Sequence, residues 1–312
     1  MRATTPAVVQ HDEFSDLTEE YFLSLRAAGR SERSIEAYAY ALTSLRQFAG
    51  PEVQPTDITP LIVSRWLGQR RTNVSPANAS FMLRHSRPAF RVWHAAGLID
   101  SDPFARVASP KVPVPVIPVL SDDEVRALWA VTDGSDWQSR RDRALIRCML
   151  DTGLRRGEAQ ALTLGSVDVS AGLIHVRVSK SGRERWVPIG LKARRELRLW
   201  LRARQQYLQR HLLIDDGTLF ISRHGRALHP QALYRAIHRR MSQAGISTPR
   251  AAHCLRHTFA TRALEAGASE LDVMHIAGWG AGSLSMLRRY TASTQASRAA
   301  ESHRRWSLGD RL

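Results

Sequence analysis

The sequence predicts a mainly α-helical protein with a small antiparallel β-hairpin or sheet, organised as an all-helical domain followed by a mixed α/β domain. Three observations predict this. Apolar residues recur at helical spacing through most of the 312-residue chain. A single pair of period-2 runs, LIHVRV (173–178) and RWVPIG (185–190), flanks the turn SKSGRE, which is the signature of a hairpin. Five of the 14 prolines fall within PFARVASPKVPVPVIP (103–118), an extended and semi-rigid composition that separates two helical blocks.

Before that segment, the spacing predicts helices at roughly 15–29, 33–49, 57–70 and 77–96, with turn signals at Gly29, Gly50-Pro51 and the region from Pro55 to Pro60. After it, SDDE (121–124) is a capping box, with Ser121 as N-cap and Glu124 reaching back. Helices are expected at about 121–131 and 139–151. Gly153 then marks a helix end, and RRGEAQAL begins another. The hairpin follows, with Lys180 at its tip. Helices resume at about 191–210, 230–244, 254–267, 269–277 and 284–291, and an amphipathic stretch covers 293–306. The expected division is a flexible N-terminus (1–12), a helical domain (13–103), a Pro-rich linker (104–120), a second domain (121–292) and a C-terminal tail (293–312).

Charge is distributed unevenly. Of a formal net charge of +16, residues 1–108 carry +1 and residues 109–312 carry +15. A field of that sign attracts phosphate backbones, which makes the second domain the polyanion candidate. Solvated basic faces of an Arg-rich protein are the bland alternative. Only three of the 45 basic residues are lysines: Lys111, Lys180 and Lys192. An amine can give up a proton at ordinary pH and a guanidinium cannot, so the lysines are candidates for proton transfer. The two cysteines, Cys148 and Cys254, have no metal or disulfide spacing. The N-terminus lacks a signal pattern, and no apolar run approaches the ~20 residues needed to span a bilayer, so a soluble cytoplasmic protein is expected.

Three segments could carry chemistry. In AAHCLRHTFATRALEAG (251–267), His253, Arg256 and His257 are near neighbours at i, i+3 and i+4, while Leu255, Phe259 and Ala263 form a packing stripe. Two histidines at that spacing can bind zinc, but the HExxH glutamate is absent and the intervening Arg would repel a dication. His257 by itself reads as a core histidine. In DTGLRRGEAQAL (151–162), Arg155 lies at a helix start, where its donors suit an anion, and Glu158 can hold it by a hydrogen bond. Taken alone, this pair reads equally as a surface ion pair of little energetic weight. In HIAGWGAGSLSMLRRYTA (275–292), Trp279 follows a glycine turn and Tyr290 ends a short helix. A phenol, with a free pKa of about 10, needs an activating site before it becomes a nucleophile.

In chain order these boxes are TGLRRGE, SKSGRERWVP, HCLRHTFAT, AGWG and RRYTA. Together they resemble the tyrosine recombinases, the lambda-integrase family, in its Xer-like or short phage and mobile-element forms. RSIEAYAYALTSLRQF resembles the helical, SAM-like core-binding domain of that family. The resemblance implies a two-domain recombinase architecture with a catalytic domain at 121–292. Trp279 stands where many members have His, and the Trp279 to Tyr290 interval is about two residues longer than is usual.

The resemblance implies a site-specific recombinase that cleaves and rejoins DNA through a 3′-phosphotyrosyl link, with no metal, ATP or other cofactor. Tyr290 would be the nucleophile. Arg155 and Arg256 would grip the phosphate, His253 would accept a proton or bind phosphate, Trp279 would donate and wall the site, and Lys180 would be the general acid. Glu158 and His257 would support them. Arg84, Arg87, Arg91, Arg183 and Arg185 are candidate DNA contacts. The implied partners are double-stranded DNA bearing a short inverted repeat and a homotetramer in the synaptic complex, with the tail exchanged between protomers and no membrane involved. A type IB topoisomerase-like enzyme would use nearly the same residues as a monomer. A catalytically silent DNA-binding protein would need only the basic surface.

Overall fold

The computed structural model describes residues 12–113, 118–177, 184–248, 251–280 and 303, and the chain divides after Pro115 into two compact units. Lys180, Arg183, the expected helix at 284–291 with Tyr290, and the proposed tail helix apart from His303 lie outside the described residues.

The first unit is a bundle of α1 (Glu13–Ala27), α2 (Glu32–Ala49), α3 (Pro60–Asn73) and α4 (Pro76–Ala95). Each starts where a short polar side chain caps it: Asp12, Ser31, Thr59 and Ser75 accept backbone N–H groups of Ser15, Ser34, Ile62 and Asn78. The third helix begins three residues later than its apolar spacing suggests. Pro60 has no N–H to donate and fits the first helical position, and Thr59 supplies the cap, so Pro55–Asp57 forms a separate 3-10 turn. Phe14, Phe90 and Trp93 pack edge to face in the core, with Phe14 and Trp93 centroids 5.9 Å apart. The buried Trp66 indole is satisfied by Ser44 Oγ at 3.2 Å.

The second unit starts with α5 (Asp122–Ala130), whose Ser121–Glu124 capping box is formed in both directions. It continues through α6 (Trp137–Thr152), α7 (Arg156–Gln160), β1 (Val167–Asp168), β2 (Leu173–Val176), β3 (Arg185–Pro188), α8 (Leu191–Arg210), α9 (Pro230–Gln243), α10 (Ala251–Glu265) and α11 (Glu270–Ala277). The sheet is antiparallel in the order β1-β2-β3, with His175 opposite Trp186 and Val176 opposite Arg185. Sequence patterning missed β1, because two residues are too few to show a period of two.

α6 packs against α8 and α10. The core between them includes Leu145, Met149, Leu197, Trp200, Phe220, Ile237 and Leu255. Trp200 is buried, and its indole N–H donates to the Leu219 carbonyl at 3.0 Å. Asp142 is completely buried on α6 and accepts from Arg141, Arg239 and Arg240 at 2.8 to 2.9 Å, which ties α6 to α9. A carboxylate removed from water in this way is tolerable only because cations and hydrogen bonds replace its hydration. Among the described residues, no helix is long and apolar enough to cross a membrane.

Candidate active site

The site is built around two glycine turns in the second unit. α6 ends at Gly153, whose left-handed φ of +61° lets its N–H return to the Met149 carbonyl at 2.9 Å. Two residues later Arg155 opens α7. Glu158 accepts the Arg155 backbone N–H through Oε2 at 2.9 Å and its Nη1 through Oε1 at 2.8 Å. Glu158 is only 4% exposed, so this is a buried anchor and not the surface pair that the local pattern allowed.

The second turn follows α11, where Gly278 adopts φ +65° and its carbonyl accepts Arg155 Nη2 at 2.7 Å. Trp279 comes next and is half-buried, with its backbone N–H on the Met274 carbonyl. Arg256, one turn into α10, lies 4.9 Å from the Trp279 ring centroid, and its Nη1 donates to the Gly153 carbonyl. Arg155 and Arg256 are 101 positions apart in sequence and are each held by the carbonyl of one of these glycines. The fold thereby brings Arg155, Arg256, Glu158 and Trp279 together.

α10 departs from the expected one-sided stripe. It is buried along most of its circumference: Arg256 and His257 are each 8% exposed, whereas His253 is exposed. The three residues therefore do not share one environment, since packing on α6, α9 and α11 covers the helix from several directions.

The structure corrects the expectation for Arg185. It is 7% exposed, and its guanidinium meets both Glu158 oxygens, Nη2 to Oε2 at 2.8 Å and Nη1 to Oε1 at 3.2 Å. Its Nε donates to the Ile276 carbonyl at 2.9 Å. It is not a surface DNA contact. A signal for this was present: alternation along β3 puts Arg185 on the same inner face as Val187, with Trp186 and Pro188 outward. Burial pushes the Glu158 carboxyl up, but hydrogen bonds from Arg185 and Arg155 outweigh it and hold the group below the usual carboxylate range. Glu158 therefore stays charged throughout neutral pH.

In the first unit, Arg84 and Arg91 are exposed on α4. Arg87 is partly buried and donates to the Val107 carbonyl, bracing the chain that leaves the bundle.

Gly153 cannot be replaced without cost. A Cβ there would lie 2.4 Å from Cδ1 of Phe259, in a backbone conformation that costs an L-residue roughly 1–2 kcal/mol. Gly153→Ala is expected to lower the thermal midpoint and to shift the carbonyl that holds Arg256. An unchanged melting curve would show that the turn accommodates the methyl group.

Residues 118–297 match the phage integrase family model. The chain belongs to that family, the tyrosine recombinases of lambda-integrase type, and is a DNA strand-exchange enzyme of site-specific recombination. Among curated relatives, it is 31% identical over 217 residues to tyrosine recombinase XerD of Lacticaseibacillus casei, covering 70% of this chain and 73% of the relative. It is 30% identical over 278 residues to tyrosine recombinase XerC 2 of Ralstonia nicotianae, covering 86% and 78%. A solved lambda integrase fragment (75–356), a dimer bound to a COC′ core site, shares the fold with a TM-score of 0.70 at 20% identity, over 88% of this chain and 94% of that one. The XerH recombinase bound to palindromic difH DNA also reaches 0.70, at 21% identity, over 93% and 84%.

Proposed function

We propose that Tyr290 is the nucleophile of this recombinase and that Arg155 and Arg256 are its phosphate ligands. The observation that carries this reading is the convergence of the two arginines, each tethered by a glycine carbonyl, beside Trp279. Tyr290 Oη attacks the scissile phosphorus, the bond from phosphorus to the 5′-oxygen breaks, and a 3′-phosphotyrosyl link forms. His253 accepts the phenolic proton and Lys180 protonates the departing 5′-oxygen. The arginines stabilise the charge gathered on the non-bridging oxygens, a role that metal ions fill in many other phosphoryl transfers. Trp279 walls the site and offers its indole N–H. Attack by the 5′-hydroxyl of another strand reverses the chemistry and completes exchange, with the bond energy conserved in the protein–DNA link.

The DNA substrate is a duplex bearing a short inverted repeat, with Arg84 and Arg91 among the candidate contacts from the first unit. The working assembly is a homotetramer in which residues 293–312 pass between protomers. It acts on nucleoid DNA in the cytoplasm. A solved lambda integrase forms a tetramer on a Holliday junction, which supports this assembly.

A site selected by binding from source DNA, made with a nick that traps cleavage, tests the reading. The expected product is a covalent adduct on the Tyr290 peptide, formed equally with and without EDTA. An adduct on another residue, or activity lost to EDTA and restored by magnesium or zinc, would overturn it. On a junction built from the same site, the bound species should have the mass of four protomers; one or two would remove the tetramer.

A further inference from the structure

Arg185 presents a physical problem. A phosphate-binding arginine is most effective when its charge is not cancelled, yet Arg155 is hydrogen-bonded to the buried carboxylate of Glu158. One guanidinium with one carboxylate carries no net charge, and beyond a few ångströms the two fields largely cancel. Arg185 sits on the far side of the same carboxylate and adds a second guanidinium. The three groups together carry +1. The same arginine holds the Ile276 carbonyl near the end of α11, two residues before the Gly278 carbonyl that receives Arg155. Gly278 leaves room for it, since a Cβ at that position would fall 2.6 Å from Arg185 Cζ.

We propose that Arg185 is a positioning residue that braces Glu158 and the α11 turn and offsets the Glu158 charge, so that Arg155 meets the scissile phosphate with a net positive charge and a fixed orientation. It reaches no DNA itself. Glu158 supplies orientation by locking Arg155 through both its backbone and its side chain, and Arg185 removes the electrostatic cost of that lock. Because Arg185 begins β3, the same contacts also tie one strand of the hairpin to the phosphate clamp. This inference rests on the reading of Arg155 as a phosphate ligand.

The test compares single-turnover adduct formation at saturating nicked DNA for the wild type, Arg185→Gln, Arg185→Lys and the double variant Glu158→Gln/Arg185→Gln, each first checked for cooperative thermal unfolding. Arg185→Gln should lower the rate by roughly 10- to 100-fold, the range for groups that orient a functional ligand from behind. The double variant should be faster than Arg185→Gln, because an amide oxygen at position 158 can still accept a hydrogen bond from Arg155 while loss of the carboxylate returns a net +1 to it. A wild-type rate in Arg185→Gln, or a double variant no faster than it, overturns the proposal. So does a salt slope of DNA binding reduced by about 0.9 in Arg185→Gln, which would mean a direct phosphate contact. If Arg185→Gln does not fold, the other two decide: both retain a net positive charge and should form adduct, and a folded form of either without adduct overturns the idea. A wild-type chain that forms no adduct would instead remove the proposed function, leaving no rate to compare.

Discussion

Tyr290→Phe is expected to abolish the covalent protein–DNA adduct while leaving DNA affinity almost unchanged. The substitution removes one oxygen and keeps the ring, so no cation that faces the DNA backbone is lost and the electrostatic part of binding persists. The chemical step has no substitute. The other tyrosines lie outside the RRYTA box, and the next one back along the chain is Tyr234 on α9, ahead of the helix that carries Arg256. Adduct formation on a nicked site, read by gel mobility after denaturation, and affinity on the intact site should therefore separate completely. Adduct at the wild-type rate in the Phe variant would end the assignment.

Lys180→Ala should slow cleavage of ordinary DNA by roughly the 10² to 10⁴ typical of general acid catalysis. Arg177, Arg183 and Arg185 are the nearest cations in the sequence, but a guanidinium cannot release a proton near neutral pH, and Arg185 is occupied by Glu158 and Ile276. Replacing the bridging 5′-oxygen of the substrate by sulfur should restore most of the mutant's rate. A thiolate leaves without protonation, because its conjugate acid has a pKa near the ~8.5 of cysteine. If sulfur gives the mutant no advantage relative to the wild type, another group donates the proton. The rescue is specific to the acid: Arg185→Gln, whose defect lies on the phosphate side, should gain little from the same substrate.

Much of this protein was determined by the sequence alone. Short polar caps and proline positions set the start of most helices, α8 after Gly190 being an exception, and the capping box at Ser121 formed as its spacing required. The period-2 runs produced β2 and β3, and the order of the five boxes pointed to the family. The caps, turns and strand runs depend on residues within a few positions of one another, so their physics is complete in a short stretch of chain.

The arrangement of the charges was decided only by the tertiary structure. Arg185 meets a carboxylate 27 positions away and a carbonyl 91 away, Arg155 reaches a carbonyl 123 positions ahead, and Arg256 reaches one 103 behind. Local spacing allowed Glu158 to be a surface partner and Arg185 a DNA contact. Both are buried, because a guanidinium or carboxylate can leave water only where distant segments supply its hydrogen bonds, and those segments meet only when the chain has folded.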